Sequence, residues 1–509
     1  MGSPAPGHEN RRVETVGNGQ RAWLLAATTG VLLLIANGRN TVPLAAWLAP
    51  LFLLRFTRGG RAWARLPAAF SMLFFSWLFQ FRGMVPAPRP ILIAVAATYS
   101  LALLVPYLMD RALTPKLPAG WATLVFPVAW AGTEYLLILT APYGSWGAMA
   151  YSQFGDLPLM QLVSVTGLAG ITFLMGWFAS AMNLVWERGW SWPGARKPVA
   201  LFAVTLAAVL LGGGIRVAIF PPDAPTVRVA SMSRRDVGSA PPEELQRRLL
   251  QNQPLTEVEV GLLRDNGRAG TDDLLTRTAR AADAGAKIVF WNETAGDVFK
   301  EDEPALIAQA QQLASRQQIY LGLALGTWQR GARKPLENKI VLIAPDGRIA
   351  YEYWKARPVP GGEKNLTSQL DGNIKTVLTP HGRLGSAICF DLDFPQLLAQ
   401  AGRLGTDILL APSNDWRDID PWHTHMATFR AVEQGFNLVR QVRSGMSMAV
   451  DYQGRVLARM DDFGSPDREM TAYVPTRGVR TMYSRIGDAF AWGCLLSLAI
   501  LAFATWKRS

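Results

Sequence analysis

The apolar positions of this chain fall into long runs on either side of a polar stretch, and this distribution predicts membrane-spanning helices. Each run is close to the ~20 residues that a helix needs to cross a bilayer, although the first two are short. The runs before the polar stretch occupy residues 22–37, 41–56, 66–82, 90–109, 121–141, 159–185 and 198–217, and one more covers 487–506. We therefore expect a transmembrane domain of seven helices at 22–217 and a C-terminal transmembrane helix at 487–506.

The stretch 225–480 has the polarity of an ordinary soluble domain and alternates strand-like with helix-like segments. The strand-like segments are 226–230, 287–291, 319–325, 338–344, 348–355, 384–390, 407–411, 438–442, 446–450 and 455–460. Helical spacing recurs at 271–285, 304–316, 395–403 and 421–436. The polar, irregular region 234–270 predicts a surface excursion with a short helix at 243–250. Mixed alternation of this kind predicts a layered α/β sandwich.

Charge refines this picture by giving the chain an orientation. The net charge of +12 arises largely from basic residues that flank the apolar runs rather than form a stripe, so we expect no nucleic-acid binding. Short loops rich in lysine and arginine face the cytoplasm. Those on one side hold Arg11, Arg12, Arg21, Arg58, Arg61, Arg65, Arg111, Lys116, Arg188, Arg196, Lys197, Lys507 and Arg508. This predicts a cytoplasmic tail at 1–21 and an outer-face domain at 225–480, which is periplasmic if the bacterium has two membranes.

The chain has two cysteines, and only one of them lies in the soluble stretch. Cys494 is inside the last apolar run, so neither a structural disulfide nor a CxxC metal or redox site is expected. Cys389 closes a short apolar strand-like segment, and Glu293 and Lys355 also follow predicted strands. A carboxylate can take the proton of a thiol, and a lysine can stabilise the thiolate and a developing oxyanion. These three residues are candidates for nucleophilic catalysis if the fold brings them together.

Three ordered blocks of the sequence resemble the Glu, Lys and Cys motifs of the nitrilase superfamily. They are Phe290-Trp291-Asn292-Glu293-Thr294-Ala295, Tyr353-Trp354-Lys355-Ala356-Arg357-Pro358-Val359-Pro360-Gly361-Gly362-Glu363 and Ala387-Ile388-Cys389-Phe390-Asp391. With a membrane domain in front and a helix behind, the chain is similar to the apolipoprotein N-acyltransferases. Further similar stretches are Ala150-Tyr151-Ser152-Gln153, Gln161-Leu162, Gly167, Pro412-Ser413-Asn414-Asp415-Trp416 and Arg430-Ala431-Val432-Glu433-Gln434-Gly435.

The resemblance implies an αββα nitrilase-like sandwich and a cofactor-free reaction. It implies transfer of an acyl chain from a phospholipid to the α-amine of the lipid-modified (diacylglyceryl) N-terminal cysteine of an apolipoprotein, through a cysteine thioester. Glu293 would be the general base, Cys389 the nucleophile and Lys355 the oxyanion stabiliser. The resemblance gives supporting roles to Glu363 beside the lysine, Asp391 after the nucleophile, the Phe390 backbone amide and Trp291 beside the base. Strand packing is an equal alternative for Trp291.

The sequence also departs from the family pattern near these motifs. Asn292 replaces a proline, Gly361 replaces an aromatic residue, Phe390 and Asp391 replace Tyr-Glu, and Arg443-Ser444-Gly445 replaces Asn-Thr-Gly. None of these changes removes a reacting group. Two alternative functions remain open at this point, a membrane-tethered amidase that uses the same triad with water as acceptor and a non-catalytic lipoprotein-binding scaffold.

Several charged residues outside the triad have two interpretations each. Glu134 lies inside an apolar run and is either a structural hydrogen-bond partner or a substrate contact. His423 and His425 are two residues apart on a predicted helix and point to different sides, so no metal site is expected there. Arg430 and Arg440 are either phosphate contacts or members of structural ion pairs.

Overall fold

A computed structural model of the protein describes residues 22–189, 193–238, 240–368 and 372–506. The predicted tail 1–21 and the basic residues Lys507 and Arg508 lie outside the described residues.

The first part of the chain is helical, in agreement with its apolar runs. Its helices are α1 (Ala22–Leu34), α2 (Pro43–Arg58), α3 (Ala62–Gln80), α4 (Arg89–Leu113), α5 (Ala119–Thr140), α6 (Leu157–Met160), α7 (Val163–Thr166), α8 (Leu168–Glu187) and α9 (Arg196–Ile219). Within the described residues, six helices are long and apolar enough to cross a membrane, namely α3, α4, α5, α8, α9 and the last helix of the chain. The first two helices are shorter, as the lengths of their apolar runs indicated.

The apolar run 159–185 does not form one helix, contrary to the prediction. The chain forms the short helices α6 and α7 and then starts α8 after Gly167, whose φ of +63° lies in the left-handed region. A Cβ at this position would lie 2.6 Å from the ring of Tyr483. The break therefore depends on a glycine and on a close contact with a distant part of the chain, and hydropathy records neither.

Helices α5 and α8 form the centre of the helical part, whereas α3 and α9 leave much of their apolar surface exposed. Glu134 on α5 accepts hydrogen bonds from the Met149 backbone N–H (2.9 Å) and from Thr172 Oγ1 (2.6 Å) on α8. These two bonds support the structural interpretation of Glu134, because they fix its carboxylate between two segments of the helical part.

The second part of the chain contains fourteen strands among the described residues. They are β1 (Thr226–Met232), β2 (Ile288–Trp291), β3 (Gly296–Phe299), β4 (Tyr320–Trp328), β5 (Leu336–Ile343), β6 (Ile349–Trp354), β7 (Thr367–Ser368), β8 (Thr376–Thr379), β9 (Gly382–Ser386), β10 (Ile408–Asn414), β11 (Asn437–Arg443), β12 (Met446–Val450), β13 (Val456–Asp461) and β14 (Glu469–Pro475). Its helices are α10 (Glu243–Leu250), α11 (Glu257–Asp283), α12 (Glu303–Gln317), α13 (Gly362–Leu366), α14 (Pro395–Leu404), α15 (Trp422–Gln434), α16 (Met482–Ile486) and α17 (Ala489–Trp506).

These strands form two sheets that pack face to face between two layers of helices. One sheet has the order β14-β1-β2-β4-β5-β6 with β3 and β7 attached, and the other has the order β13-β12-β11-β10-β9-β8. Apolar residues from both sheets form the core between them. Helices α11 and α12 cover the outer face of the first sheet, and α14 and α15 cover the second. The predicted fold class is confirmed: apolar helices, an αββα domain and a C-terminal apolar helix.

Two predicted boundaries in this domain were wrong. Helix α11 begins at Glu257 rather than near Thr271, because Thr256 and Glu259 form a capping box that starts it earlier. The strand predicted at 384–390 ends at Ser386, and a 3₁₀ turn over Cys389–Asp393 follows it. Apolar composition alone does not distinguish a buried turn from a buried strand.

The two parts of the protein share one apolar core. Phe390 of the 3₁₀ turn and, from α15, Trp422, Met426 and Phe429 pack in the same buried cluster as the side chains of the membrane-type helices. The loop between α5 and the Met149–Gln153 turn also contacts the αββα domain, because Ser145 donates through both its backbone N–H and its Oγ to the Asp393 carbonyl (2.7 Å each). The turn that carries Cys389 is therefore held by contacts with the helical part as well as with the αββα domain.

Candidate active site

Glu293 lies directly after β2, where the strand ends in a tight turn. Asn292 shapes this turn, because its Oδ1 accepts from the Arg234 backbone N–H (2.9 Å) and its Nδ2 donates to the Glu293 carbonyl (2.9 Å). Thr294 follows with a φ of +53°. The Glu293 side chain is 6% exposed, and its Oε1 accepts from Asn338 Nδ2 (2.6 Å). The asparagine that replaces the family's proline thus supplies hydrogen bonds for the same turn.

Lys355 follows β6 and enters the same buried space. Its Nζ donates to Glu293 Oε1 (2.8 Å) and to both carboxylate oxygens of Glu363 (2.7 and 2.9 Å). The side chain is 2% exposed. Burial lowers the pKa of this ammonium, but Glu293 and Glu363 outweigh burial and hold the pKa well above its usual value. Lys355 is therefore a fixed positive charge at neutral pH.

Glu363 and Asn338 complete the surroundings of the lysine. Glu363 lies in the first turn of the short helix α13 and also accepts from the Val359 backbone N–H (2.7 Å), so the segment that carries it is anchored. Asn338 on β5 donates to both Glu293 and Glu363. The sequence analysis did not identify Asn338 as a site residue. Its place on the predicted strand next to the one that ends at Lys355 was the available signal, because β5 and β6 pair and the Lys355 backbone N–H donates to the Asn338 carbonyl (2.9 Å).

Cys389 begins the 3₁₀ turn after β9 and has a φ of +48°, which is unusual for a residue with a side chain. Its Sγ lies 3.7 Å from the Asn414 carbonyl at the end of β10. Burial and the Glu293 carboxylate raise the thiol pKa well above its usual value, while Lys355 lowers it. The charges of Glu293 and Lys355 thus act on Cys389, and the thiol keeps its proton at neutral pH until a base removes it.

Asp391 and Phe390 support the shape of this turn. Asp391 accepts from the Ile388 backbone N–H (3.0 Å), the Arg357 backbone N–H (2.8 Å) and Tyr353 Oη (2.7 Å). Burial raises the Asp391 pKa to about 7. Phe390 is buried against the helical part, and its ring meets that of Phe394 edge-on. The contacts of both residues therefore hold the Cys389 turn in position.

Trp291 points away from the lysine cluster. It is fully buried in the core between the first sheet and helices α11 and α12. Its indole Nε1 donates to Thr278 Oγ1 (3.0 Å) on α11. Of the two interpretations of Trp291, this position supports strand packing.

A second buried polar cluster lies beside the thiol and was not predicted as part of the site. Asp415 accepts from His423 Nδ1 (2.8 Å) and from both terminal nitrogens of Arg440 (3.0 and 2.8 Å). Ligand-type atoms of Cys389, Asp415 and His423 lie within 4.8 Å of one another. The signal in the sequence was Asp415 directly after β10, next to an acidic and histidine-rich segment, but spacing does not reveal which strand end meets which helix.

The remaining charged candidates have structural partners. Arg430 donates to Glu433 (3.0 Å) and to Tyr151 Oη (3.2 Å), and all three side chains are buried. His425 stacks on Phe154 with ring centroids 3.8 Å apart. Arg440 donates hydrogen bonds to both carboxylate oxygens of Asp415. Because the guanidinium already neutralises this carboxylate, the neighbouring atoms of Cys389, Asp415 and His423 form a poor cation site despite their short separations.

The arrangement as a whole suits nucleophilic acyl chemistry. A protonated thiol on a rigid turn lies within the electrostatic reach of a buried carboxylate that can accept its proton. The adjacent ammonium keeps its proton at neutral pH because its pKa is raised, so its positive charge is available to stabilise an oxyanion. The chain thus brings Glu293, Lys355, Glu363 and Cys389 into one region from four separate segments.

Comparison with known proteins gives two matches to protein-family profiles. Residues 29–181 match the apolipoprotein N-acyltransferase N-terminal domain, and residues 264–466 match carbon-nitrogen hydrolase. The first match covers most of the helical part, and the second contains all the residues of the lysine cluster and the Cys389 turn.

Relatives with both parts are found over nearly the full chain. An apolipoprotein N-acyltransferase of Geobacter metallireducens is 26% identical over 96% of this chain and 96% of its own. One of Pasteurella multocida is 26% identical over 90% of this chain and 86% of its own. Among solved structures, an amidase from Nesterenkonia sp. is 18% identical with a TM-score of 0.40, over 52% of this chain and 94% of that one.

The six apolar helices and the bacterial relatives mark the protein as a bacterial membrane protein. Both family matches fall in the order and in the parts of the fold that the sequence motifs indicated. The chain therefore resembles the apolipoprotein N-acyltransferases over nearly its whole length, and its αββα domain is similar to the carbon-nitrogen hydrolases.

Proposed function

We propose that this protein transfers an acyl chain from a membrane phospholipid to the α-amine of the diacylglyceryl-modified N-terminal cysteine of apolipoproteins. The resemblance to apolipoprotein N-acyltransferases over nearly the full chain supports this substrate pair. The observation that carries the proposal is the buried pairing of Lys355 with Glu293 and Glu363 beside a protonated Cys389 thiol.

In the first half of the reaction, Glu293 takes the proton from Cys389 Sγ as the sulfur attacks the carbonyl carbon of a phospholipid ester. The carbonyl oxygen becomes an oxyanion, which the Lys355 ammonium stabilises. The carbon–oxygen bond of the ester then breaks, and the leaving lysophospholipid oxygen takes the proton from Glu293. The product is a thioester between the acyl chain and Cys389.

In the second half, the neutral α-amine of the apolipoprotein attacks the thioester carbonyl. Glu293 accepts a proton from the amine, Lys355 again stabilises the oxyanion, and the carbon–sulfur bond breaks. Glu293 returns the proton to Cys389 Sγ, which restores the thiol and releases the N-acylated lipoprotein. Because both substrates carry acyl chains, their transfer next to membrane helices keeps apolar surface out of water.

We also propose that the αββα domain at 225–480 works on the outer, periplasmic face of the inner membrane, with the transmembrane domain at 22–217 and the C-terminal helix at 487–506 as its anchor. The excess of lysine and arginine in the opposite loops supports this orientation. The contact of Phe390 and α15 with the helical part supports a site near the lipid surface.

The test is detection of the acyl-enzyme. The purified protein is incubated with phospholipid in detergent and its mass is measured by intact-protein mass spectrometry. We expect one acyl adduct that Cys389→Ala abolishes and Cys494→Ala retains, because Cys494 lies on α17, outside the αββα domain. An adduct that survives in Cys389→Ala contradicts the proposal.

Adding an acceptor separates the proposed activity from its alternatives. With a purified diacylglyceryl apolipoprotein, the adduct should disappear as the N-acylated product forms. Release of free fatty acid without acceptor would indicate the amidase-like hydrolase. Binding of the lipoprotein without any adduct would indicate a non-catalytic scaffold.

A further inference from the structure

The cluster of Asp415, His423 and Arg440 lies beside the Cys389 sulfur and takes no part in the mechanism proposed above. Its members come from the end of β10, from α15 and from β11, and all three side chains are buried. The ligand-type atoms of Cys389, Asp415 and His423 lie within 4.8 Å of one another. This spacing is typical of a nucleophile with its histidine and carboxylate partners.

His423 is enclosed by acidic groups on both of its ring nitrogens. Nδ1 lies 2.8 Å from Asp415 Oδ1 and also 2.8 Å from Arg440 Nη2, and Nε2 lies 3.3 Å from Asp393 Oδ2. Neither carboxylate oxygen of the buried Asp393 has a hydrogen-bond partner in the described part of the chain, and the Asp393 carboxylate lies at ion-pair distance from His423. Although burial and Arg440 lower the His423 pKa, the two carboxylates raise it to about 9.

The charge balance at the sulfur depends on this histidine. With a neutral imidazole, two carboxylates would face one guanidinium next to the thiol, and the net negative charge would oppose a thiolate. With an imidazolium, the cluster is neutral and places a cation near the sulfur. The other charged groups that act on Cys389 are Glu293 and Lys355.

A segment from the helical part fixes this histidine. The Trp146 ring lies against the His423 ring, with centroids 5.6 Å apart. The preceding Ser145 holds the Asp393 backbone carbonyl through its N–H and its Oγ (2.7 Å each). The Gly144–Trp146 segment therefore fixes both the imidazole and one of its two carboxylate partners.

We propose that His423, held as an imidazolium between Asp393 and Asp415, is a further cation at the Cys389 thiol, beside Lys355 and Arg440, that stabilises the thiolate when Glu293 removes the proton. The inference rests on the proposed role of Cys389 as nucleophile. His423 exchanges no proton in this step: the proton moves from Sγ to Glu293, and the negative charge stays on sulfur between Lys355 and His423. His423 is thus an electrostatic partner of the nucleophile.

The test measures thiol reactivity without substrate. Cys389 in the detergent-solubilised full chain is alkylated with iodoacetamide from about pH 6 to about pH 10, and the rate is followed by intact mass. His423→Asn keeps a donor toward Asp415 but removes the positive charge. His425→Asn is the matched control, because His425 lies on the same helix but stacks on Phe154.

We expect His423→Asn to alkylate about tenfold more slowly than wild type near pH 7, since opposite charges at this separation are worth at least one pKa unit in a protein interior. The deficit should shrink above about pH 9, where wild type also loses the imidazolium proton. His425→Asn should follow wild type throughout. Equal rates for His423→Asn and wild type would overturn the inference.

Asp393→Asn provides a second test if His423→Asn does not fold. It leaves the imidazole in place but removes one carboxylate that raises its pKa. At low pH, its alkylation rate should match that of wild type. As the pH rises, its rate should fall below that of wild type before wild-type His423 loses its proton. A rate deficit that does not depend on pH would overturn the inference. If only the inference about His423 is wrong, wild type still forms the acyl adduct. If wild type forms no acyl adduct, the proposed function itself is rejected.

Discussion

At the residue scale, the site depends on one buried ammonium shared by two buried carboxylates. Lys355 carries this charge, and Glu293 and Glu363 are its partners. Removing one member of such a buried cluster leaves an uncompensated charge, which costs more than the pair itself contributes. The residue proposed to stabilise the oxyanion is therefore also needed for the stability of the domain.

Lys355→Met should separate these two roles when it is compared with a matched lysine. We expect it to lower acyl-enzyme formation at least about 100-fold by loss of the oxyanion partner, and to destabilise the fold by about 3–5 kcal/mol. Lys339→Met is the control, because Lys339 is equally buried and pairs with Glu303 and Glu337 outside the site.

Both changes should lower the thermal unfolding midpoint, but only Lys355→Met should remove the adduct seen by mass spectrometry. The double change Lys355→Met with Glu363→Gln should recover part of the stability and none of the reactivity. Recovery of the adduct in the double variant would show that Lys355 acts only as a structural partner.

His423 gives the stability of the protein a definite pH dependence. Its folded pKa of about 9 is raised above the ordinary 6.5, so its ion pairs contribute full stability below about 6.5 and lose it as the pH rises through about 9. We expect the unfolding midpoint of wild type to fall across this window more than that of His423→Asn. Parallel curves for the two proteins would contradict the assignment.

At the scale of elements, short connecting segments decide where the reactive groups lie. The loop after α5 turns at Gly144 with a φ of +56°, and a Cβ there would lie 2.4 Å from the Asp393 carbonyl oxygen. The loop can approach the Cys389 turn this closely only because the position has no side chain.

Gly144→Ala should therefore weaken the contact between the loop and the Cys389 turn. Gly155→Ala is the matched control, because Gly155 also has a positive φ of +93° but nothing lies within 4 Å of its Cβ position. We expect backbone strain to lower the stability of both variants, and only Gly144→Ala to slow the alkylation of Cys389 as well. Equal alkylation rates in the two variants would show that the loop does not position the nucleophile.

Helix α11 shows how a local signal fixes the start of an element. In the first turn of this helix, the Thr256 side chain accepts a hydrogen bond from the Glu259 backbone N–H, and the Glu259 side chain accepts one from the Thr256 backbone N–H. Thr256→Ala should cost about 1 kcal/mol of stability, measured as a lower unfolding midpoint, with unchanged acyl-adduct formation. Thr276→Ala, in the interior of the same helix on an exposed face, should have a smaller effect.

At the scale of the whole molecule, the helical part and the αββα domain are joined by packing as well as by the chain. The side chains of α15 bury apolar surface against the membrane-type helices, and Arg430 reaches Tyr151 in the helical part. The basic residues that predicted the orientation also have partners within the fold, since Arg58 forms two hydrogen bonds of 2.7 Å with Asp110. Some of the charges that predict orientation thus also stabilise the bundle.

The orientation itself can be measured by cysteine labelling in intact cells. Both native cysteines are buried, so a membrane-impermeant maleimide should give a low background. We expect Asp467→Cys, on an exposed loop of the αββα domain, to be labelled from outside, and Arg188→Cys, after α8, to be labelled only after lysis. The reverse pattern would place the catalytic domain in the cytoplasm.

The sequence by itself determined the class of the fold and indicated the candidate reacting residues. Apolar runs report burial in lipid or core, and alternation reports local secondary structure, so most helices and most strands, β5 and β6 among them, could be predicted. Resemblance to a known family pointed to Glu293, Lys355 and Cys389. These signals are local in the chain, and each can be recognised without knowing what packs against it.

Only the tertiary structure decided which groups meet. Glu293 and Lys355 are 62 residues apart, and their 2.8 Å contact exists because β2 and β6 run in the same direction in one sheet and end at the same edge. The break at Gly167, the partners of Asn338 and the position of His423 beside Cys389 likewise follow from the packing of distant segments. Local sequence patterns encode the period and burial of an element, whereas these contacts arise from the mutual packing of several elements.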